Sequence, residues 1–399
     1  MQQQSSPQPV LAVNLLESLG PQSTAYRSAI ARLETLLGRF RDTTAVQVRL
    51  GQWQRSTSQS DAVADEAVFL RQTYLATVAR LIAYLRVSHG RTPSGADMEG
   101  ALNGEYFEGR AGLPYLVEDD YFTWPVAGEA REEGLKLAQD LLPYVSQCGA
   151  PAYAPQELLA LCASVTGDVD HQETAHLVEA NERFLDARCG AGAGLCAAIQ
   201  TKKEAFARDG LDPADALLLI TDSVVGTDTH PLAMAVGRVA YLLALGDLLD
   251  APHGDLAIPI FQSDARHAPQ VVHGLPGGVT AYAVEVGAPP VQVYVPESLA
   301  TDPIGLDYLL PFMKGKYAKS VLNAKNEAML GRAWYSFHNF LVTPTTNRKP
   351  FVLTEPEAEV MVQTQKALVE LARAGHGAFW HFVLRNAMRG MRSRAQIES

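Results

Sequence analysis

Three short apolar runs in the middle of the chain each end where chemistry can be done. RFLDARCG (183–190) runs into Gly190, Gly192 and Gly194; SVVGTD (223–228) ends on Asp228; AIPIFQSD (257–264) ends on Asp264. Glycines directly after a strand let the backbone approach a ligand closely and leave the first amides of the next helix free for it. An acid closing the second strand is placed to accept from ribose hydroxyls. An acid closing the third is placed to receive an exocyclic amino group. Taken singly, a glycine turn is often only a tight bend, and a strand-ending acid often caps a helix or faces water. In this order and at these intervals, three polar stations suit an adenosyl ligand.

Helical stretches separate the three runs, notably PLAMAVGRVAYLLALGDLL (231–249), opened by Pro231 at a favourable first-turn position. Strands alternating with helices imply an α/β fold with a parallel, doubly wound sheet and right-handed crossovers. Upstream, residues 12–90 have a helical pattern: Leu70, Tyr74, Val78, Leu81 and Leu85 recur three or four apart and form one apolar face. A Gly, Pro and Ser-rich loop follows at 88–97, and AREEGLKLAQDLLPYVS reads as another helix. Downstream, VTAYAVEVGAPPVQVYVP (279–296) alternates with period two around Gly-Ala-Pro-Pro and reads as a hairpin. The last hundred residues read as mainly helical, broken by VTPTTNRKP.

Composition narrows the classes. The 399 residues carry a formal net charge of −11, which argues against non-specific nucleic-acid binding. One run, LRNAMRGMRSR (Arg385, Arg389, Arg392, Arg394), is locally basic. It reads as a solvated helix end at least as readily as a nucleic-acid face. No run of about 18 apolar residues occurs, so no membrane span is expected. The polar start MQQQSSPQPV lacks the layout of a secretion signal. Cys148, Cys162, Cys189 and Cys196 show neither C-x-x-C nor zinc-ligand spacing, which fits free thiols and a cytoplasmic location. In DVDHQETAHLVE, His171 and His176 are five apart and do not share a helix face, so no metal site is expected there, with Glu173 and Glu179 included. No G-x-S-x-G or P-loop is present.

The same residues carry a resemblance to the class I S-adenosylmethionine-dependent adenine-N6 DNA methyltransferases of restriction–modification and phage-exclusion systems. FLDARCGAGAGL (Asp186, Cys189, Gly190, Gly192) resembles that family's methionine-binding loop, Asp-Pro-Ala-Cys-Gly-Ser-Gly and an aromatic. VVGTDTHPLAMAVGRVAYLLALGDLL resembles its ribose-binding strand and helix, including the Asp-x-x-Pro-x-Ala spacing. IPIFQSDA resembles the adenine-binding strand, and GAPAYAPQELLALCAS (149–164) the upstream Gly-x-aromatic-Tyr-Thr-Pro segment that covers the cofactor. NGEYFEGRAGLPYLVEDDYFTW and AFWHFVLRN (378–386) resemble two further family segments. The resemblance spans roughly residues 100–390. It implies a partial Rossmann-like methyltransferase sheet, with S-adenosyl-L-methionine as cofactor. Asp186, Cys189, Gly190 and Gly192 would form its methionine loop, Asp228 would hold the ribose and Asp264 the adenine, with Tyr153 and Pro155 closing over it. The implied organisation is a disordered lead (1–11), a helical N-terminal domain (12–145), a cofactor-binding half-domain (146–270), and a hairpin with a helical tail (271–399).

The sequence departs from the pattern. Arg188, Ala191 and Gly194 stand where the loop usually has alanine, serine and an aromatic, and Ala154 replaces the upstream threonine. The Asn/Asp-Pro-Pro-aromatic loop that contacts a flipped-out adenine is missing. Its nearest counterpart is Gly287 to Val291, GAPPV, without an amide or an aromatic and inside the expected hairpin. No catalytic residue is therefore assigned. The expected protein supplies strands one to three of the sheet and works with a second chain. That chain would bring the catalytic loop and target recognition to DNA in a restriction or anti-phage system. The alternative is a catalytically inactive, methylase-like scaffold or DNA-binding subunit of a defence complex. A small-molecule methyltransferase fits the helical N-terminal region less well.

Overall fold

The structure is a computed structural model, and it describes residues 14–57, 65–149, 153–167, 179, 182–262, 268–287, 289–344, 349–377 and 379–398. The expected disordered lead lies outside the described residues.

Helices occupy the first part: α1 (Leu15–Leu19), α2 (Thr24–Phe40), α3 (Thr44–Thr57), α4 (Glu66–Val87), α5 (Gly95–Asn103), α6 (Glu105–Arg110), α7 (Arg131–Ser146) and α8 (Pro155–Thr166). Local chemistry starts them where the chain requires. The Ser23 hydroxyl accepts from the Tyr26 amide at 3.0 Å, and Asp65 accepts from the Ala67 amide at 2.8 Å. On α4 the expected apolar face is buried, but so are Gln72, Thr73, Thr77 and Arg80 around it. Packing against α2, α7, α8 and a later helix covers α4 on nearly all sides. Its polar residues stay because they are bonded: Arg80 pairs with Asp120 at 2.6 Å.

The three apolar runs form a parallel sheet, β1 (Phe184–Asp186), β2 (Val224–Asp228) and β3 (Ile260–Gln262), in the order β1-β2-β3. Between the strands come α9 (Ala193–Arg208), α10 (Pro213–Ser223) and α11 (Pro231–Leu245). β2 is buried along its length as the central strand, whereas β1 pairs on one side only among the described residues. α11 packs on α4, α8 and α9, so one apolar core runs from Leu15 through the parallel sheet. Residues 231–250 form the one described stretch long and apolar enough to cross a bilayer, and 78% of it is buried within the protein.

The expected hairpin is present as β5 (Val279–Val286) and β6 (Val291–Pro296), paired from Val286↔Val291 outward. A strand not read from the sequence, β4 (Gln270–Leu275), joins it to make a separate antiparallel sheet. β4 has no buried face, so it carries no apolar alternation to read. Six helices follow: α12 (Glu297–Ala300), α13 (Pro303–Phe312), α14 (Ala318–Leu322), α15 (Glu327–Val342), α16 (Glu355–Leu371) and α17 (Phe379–Glu398). All of them except α14 build a second core with β5 and β6, and α14 packs in a small cluster with α15 and α16.

α17 joins the two cores. Phe379 and Phe382 belong to the first, Trp380, Leu384 and Met388 to the second. A buried polar network runs beside it. Arg238 of α11 reaches Glu118 at 2.5 Å, the Ile260 carbonyl at 2.9 Å and Asn386 at 3.2 Å. Asn386 returns to Glu118 at 3.2 Å, and Arg385 lies 3.4 Å from the same carboxylate and stacks on Tyr115. Burial pushes the Glu118 carboxyl up, but Arg238 and Arg385 outweigh it and hold the group below its ordinary value. The basic run at the chain's end is thus not a solvated helix end at its start: Arg385 is 0% exposed. The segments containing Tyr115 and Asn386, far apart in sequence, meet here.

Candidate functional site

The turn after β1 is built by two glycines and held by one acid. Gly190 has φ +52° and Gly192 φ +95°, backbone that favours glycine. Between them the chain closes on itself, with the Gly192 amide donating to the Cys189 carbonyl at 2.8 Å. The Cys189 amide donates to the Thr227 carbonyl at 3.1 Å, which fastens the loop to β2. The loop can lie this close because β2 has Gly226 beneath it. A Cβ there would come within 2.7 Å of Leu195 Cδ1 and 3.0 Å of Cys189 Sγ. Gly237 of α11 faces the loop on the other side, where a Cβ would just touch the Gly190 carbonyl oxygen at 3.4 Å.

Asp228 closes this arrangement. One carboxylate oxygen accepts from the Gly190 amide at 2.9 Å and the other from the His230 amide at 2.7 Å. The acid is nearly buried, so those two bonds position it as well as the loop. Each carboxylate oxygen can accept a second bond, which leaves capacity for hydroxyl donors.

A cavity of about 480 Å³ opens against this loop, within the size range of small-ligand sites. Its walls are Cys189 and Gly190 of the loop, Asp228, His230 at the start of α11, Arg71 and Gln72 of α4, and the face of α8 around Ala163. The polar wall is tied to the core. Trp53 Nε1 donates to Gln72 Oε1 at 2.8 Å, which turns the Gln72 amide nitrogen to His230 Nε2 at 3.1 Å. An indole only donates, which fixes the Gln72 amide orientation, and the His230 ring accepts on its other side, at Nδ1, from the Leu232 amide at 3.2 Å.

Of the residues singled out from the sequence, the structure brings Cys189, Gly190 and Asp228 together on the cavity wall. Gly192 stands behind them as the cap of α9. Asp186 does not line the cavity; its Oδ1 accepts from the Arg188 amide at 3.0 Å. Tyr153 does not line it either, because its hydroxyl is buried and donates to the Val145 carbonyl at 2.7 Å. Pro155 opens α8 and contributes through that helix, whose later turns form the wall. Asp264 lies outside the described residues, as do His171, Glu173 and His176. Among the described residues no group of three or more His, Cys, Asp or Glu side chains could hold a metal.

Sequence reasoning missed Arg71, Gln72 and His230. His230 had a signal, standing two residues after Asp228 and just before the proline that opens α11. Arg71 and Gln72 had none, because α4 reads as an ordinary apolar helix and only tertiary packing brings it over the loop. Gly287, Pro289 and Pro290 of GAPPV lie between the paired Val286 and Val291, in the hairpin that their position suggested; Ala288 lies outside the described residues. The Gly287 carbonyl accepts from Gln52 and from Arg55, each at 2.7 Å, which pins the turn to α3. No family model, curated protein or solved structure matches the chain.

Proposed function

We propose that the cavity binds S-adenosyl-L-methionine and that the chain is the cofactor-binding part of an adenine-N6 DNA methyltransferase with a Rossmann-like sheet. One observation carries the reading: the Gly190 amide, the Asp228 carboxylate and a ligand-sized cavity converge beyond the carboxyl ends of a parallel β1-β2-β3 sheet. The residues present fit the cofactor. Asp228 has acceptor capacity left for the ribose hydroxyls, and the glycine loop leaves room for the methionine part. Arg71, on the facing wall, supplies a cation for the cofactor's carboxylate. When bound, the cofactor supplies an electrophilic methyl group. The protein's own share is to hold and orient it; no side chain on the wall is assigned a proton-transfer role.

The reading needs further strands and a catalytic loop. β1 offers an edge without a partner among the described residues, and sheet edges are features that proteins cover. A second chain completing the sheet there would bury an interface of obligate size, on the order of 2,000 Å² or more. It would also carry the target-recognition surface for DNA. The test is tritiated methyl transfer to DNA of mixed sequence, with the chain alone and co-expressed with its completing chain. Activity only in the pair supports the reading; robust activity from a monomer of this chain overturns the split.

A second reading is favoured by the GAPPV turn. Its carbonyl is bound by Gln52 and Arg55, a structural role that leaves this chain without its own catalytic loop. A methylase-like scaffold in a defence complex fits that fact equally well. It predicts no transfer in any pairing, with cofactor binding retained or lost independently of DNA.

A further inference from the structure

The seam between α13 and α17 holds more positive charge than its partners balance. Arg385, Arg389 and Arg392 fall four and three residues apart, on one face of α17. Asp307 of α13 is the carboxylate between them: it pairs with Arg389 and lies 3.7 Å from Arg385 Nε. Glu118 is already taken by Arg238, with Arg385 at 3.4 Å from its other oxygen. Asp302, at the rim, is occupied in capping α13, where it accepts from the Ile304 amide at 3.0 Å. Lys314 adds a further cation at the surface. Phe261 receives two of the guanidiniums, with Arg385 at 5.8 Å and Arg389 at 5.7 Å from its ring centre.

Hydrogen bonding shows the same excess. Among the described residues, the buried side-chain donors Arg385 Nε, Nη1 and Nη2 and Arg392 Nη1 and Nη2 have no acceptor within hydrogen-bond geometry, and the open acceptors beside them are two, Glu118 Oε1 and Asp307 Oδ1. Among the described residues, Arg392 donates through its Nε alone, to the Ala300 carbonyl at 2.6 Å. Buried guanidinium donors are ordinarily satisfied, and clustered like charges repel unless an anion lies among them. Burial, with Arg389 and Arg385 nearby, lowers the Arg392 pKa to about 10 against the pull of Asp307 and Asp302. The neighbouring His381 is kept neutral by burial and by Lys314 and Arg385.

We infer that the α13–α17 seam is a binding site for a phosphate group, taken by Arg385 and Arg392 and entered beside Arg389. Even with Glu118 Oε1 and Asp307 Oδ1 set against Arg385 Nη1 and Nε, Arg385 Nη2 and Arg392 Nη1 and Nη2 remain as three donor nitrogens for the oxygens of a tetrahedral oxyanion. Arg389, with 24% of its side chain exposed, marks the way in. The phosphate is either free or part of a nucleic-acid backbone. The site stands apart from the cavity at Asp228 and does not depend on the cofactor reading.

The test is thermal unfolding of the full chain in sodium phosphate and in sodium chloride of equal pH and ionic strength. Phosphate raises the wild-type midpoint by roughly 2–4 °C over chloride at concentrations well above its dissociation constant. Arg392→Gln and Arg389→Gln lose that rise, while Lys316→Gln, a change at an exposed lysine, keeps it. Arg392→Lys keeps the charge but not the fork, loses most of the rise, and carries the test should Arg389→Gln fail to fold. A second arm measures binding of a fluorescent duplex oligonucleotide. A fall of about tenfold in Arg392→Gln, with competition by free phosphate, assigns the site to a nucleic-acid backbone. Unchanged oligonucleotide binding together with a lost phosphate effect assigns it to free phosphate. Equal midpoints in phosphate and chloride, or an equal phosphate rise in the arginine variants, overturn the proposal.

Discussion

Two stretches of α11 hold polar groups in opposite ways. At its start, Asp228 and His230 border a cavity, and the bonds that fix Asp228 come from main-chain amides a short way along the sequence or across one strand. Two turns further on, Arg238 is buried, and its partners Tyr115, Glu118 and Asn386 come from more than a hundred residues away on either side. The first arrangement is local and leaves acceptor capacity beside open space, as a binding site must. The second is long-range and closed, and its charges serve to lock β3, α11 and α17 in one register. A polar group beside a cavity is free to act on a ligand; a polar group among its own partners is committed to the fold.

The comparison predicts unequal consequences for similar substitutions. Glu118→Gln leaves Arg238 buried without its paired carboxylate and Arg385 with Asp307 alone, and should destabilise the fold by about 3–5 kcal/mol, measured by urea unfolding. An effect below about 1 kcal/mol would show that the network is not the lock described here. Gly226→Val forces a branched side chain against Leu195 and Cys189 and should cost about 1–3 kcal/mol. It should also displace the glycine loop, seen as lost ligand binding in a protein that still folds. Intact binding would mean that the loop tolerates lifting from β2.

The closed region should also respond to acid. Burial first, then Lys314, with Arg385 adding, lowers the His381 pKa to about 3 against the opposing pull of Glu118 and Asp307. Its ordinary value is near 6.5, so between those values the unfolded chain takes up a proton that the folded one refuses. The stability that this ring contributes is present above pH 6.5 and is lost as pH falls toward 3, with a slope of at most about 1.4 kcal/mol per pH unit. His381→Gln should flatten that slope between pH 6.5 and 4. An unchanged slope would place the acid sensitivity elsewhere. The smallest effect is expected at Asp186. Asp186→Asn retains an acceptor for the Arg188 amide and should change stability by less than about 0.5 kcal/mol and leave ligand binding unaltered.

The same contrast explains what could be read in advance. The three strands, α11, the hairpin and its turn were legible because each is written in local periodicity or in residues that punctuate it. The pairing of Asp228 with the glycine loop was legible as a juxtaposition, since both sit at strand ends of one parallel sheet. Three things were hidden for physical reasons. α4 is buried on nearly all sides, so its amphipathic pattern could not show that Arg71 and Gln72 face a cavity. Tyr153 and Asp186 sit in motif positions, but their bonds to Val145 and Arg188 are set by local backbone that no motif specifies. The burial of Arg385 depends on Glu118 and Tyr115, and a charged helix end carries no mark of a distant partner.

The most direct test is equilibrium binding of tritiated S-adenosyl-L-methionine to the wild-type chain and to Asp228→Ala, each alone and with the completing chain. Saturable binding at one site is expected. The substitution should weaken it by about 1–3 kcal/mol, roughly fivefold to 150-fold, because the ribose loses its charged acceptor and the Gly190 amide its partner. Unchanged affinity in a folded Asp228→Ala protein, or no saturable binding by the wild type in either state, would contradict the account.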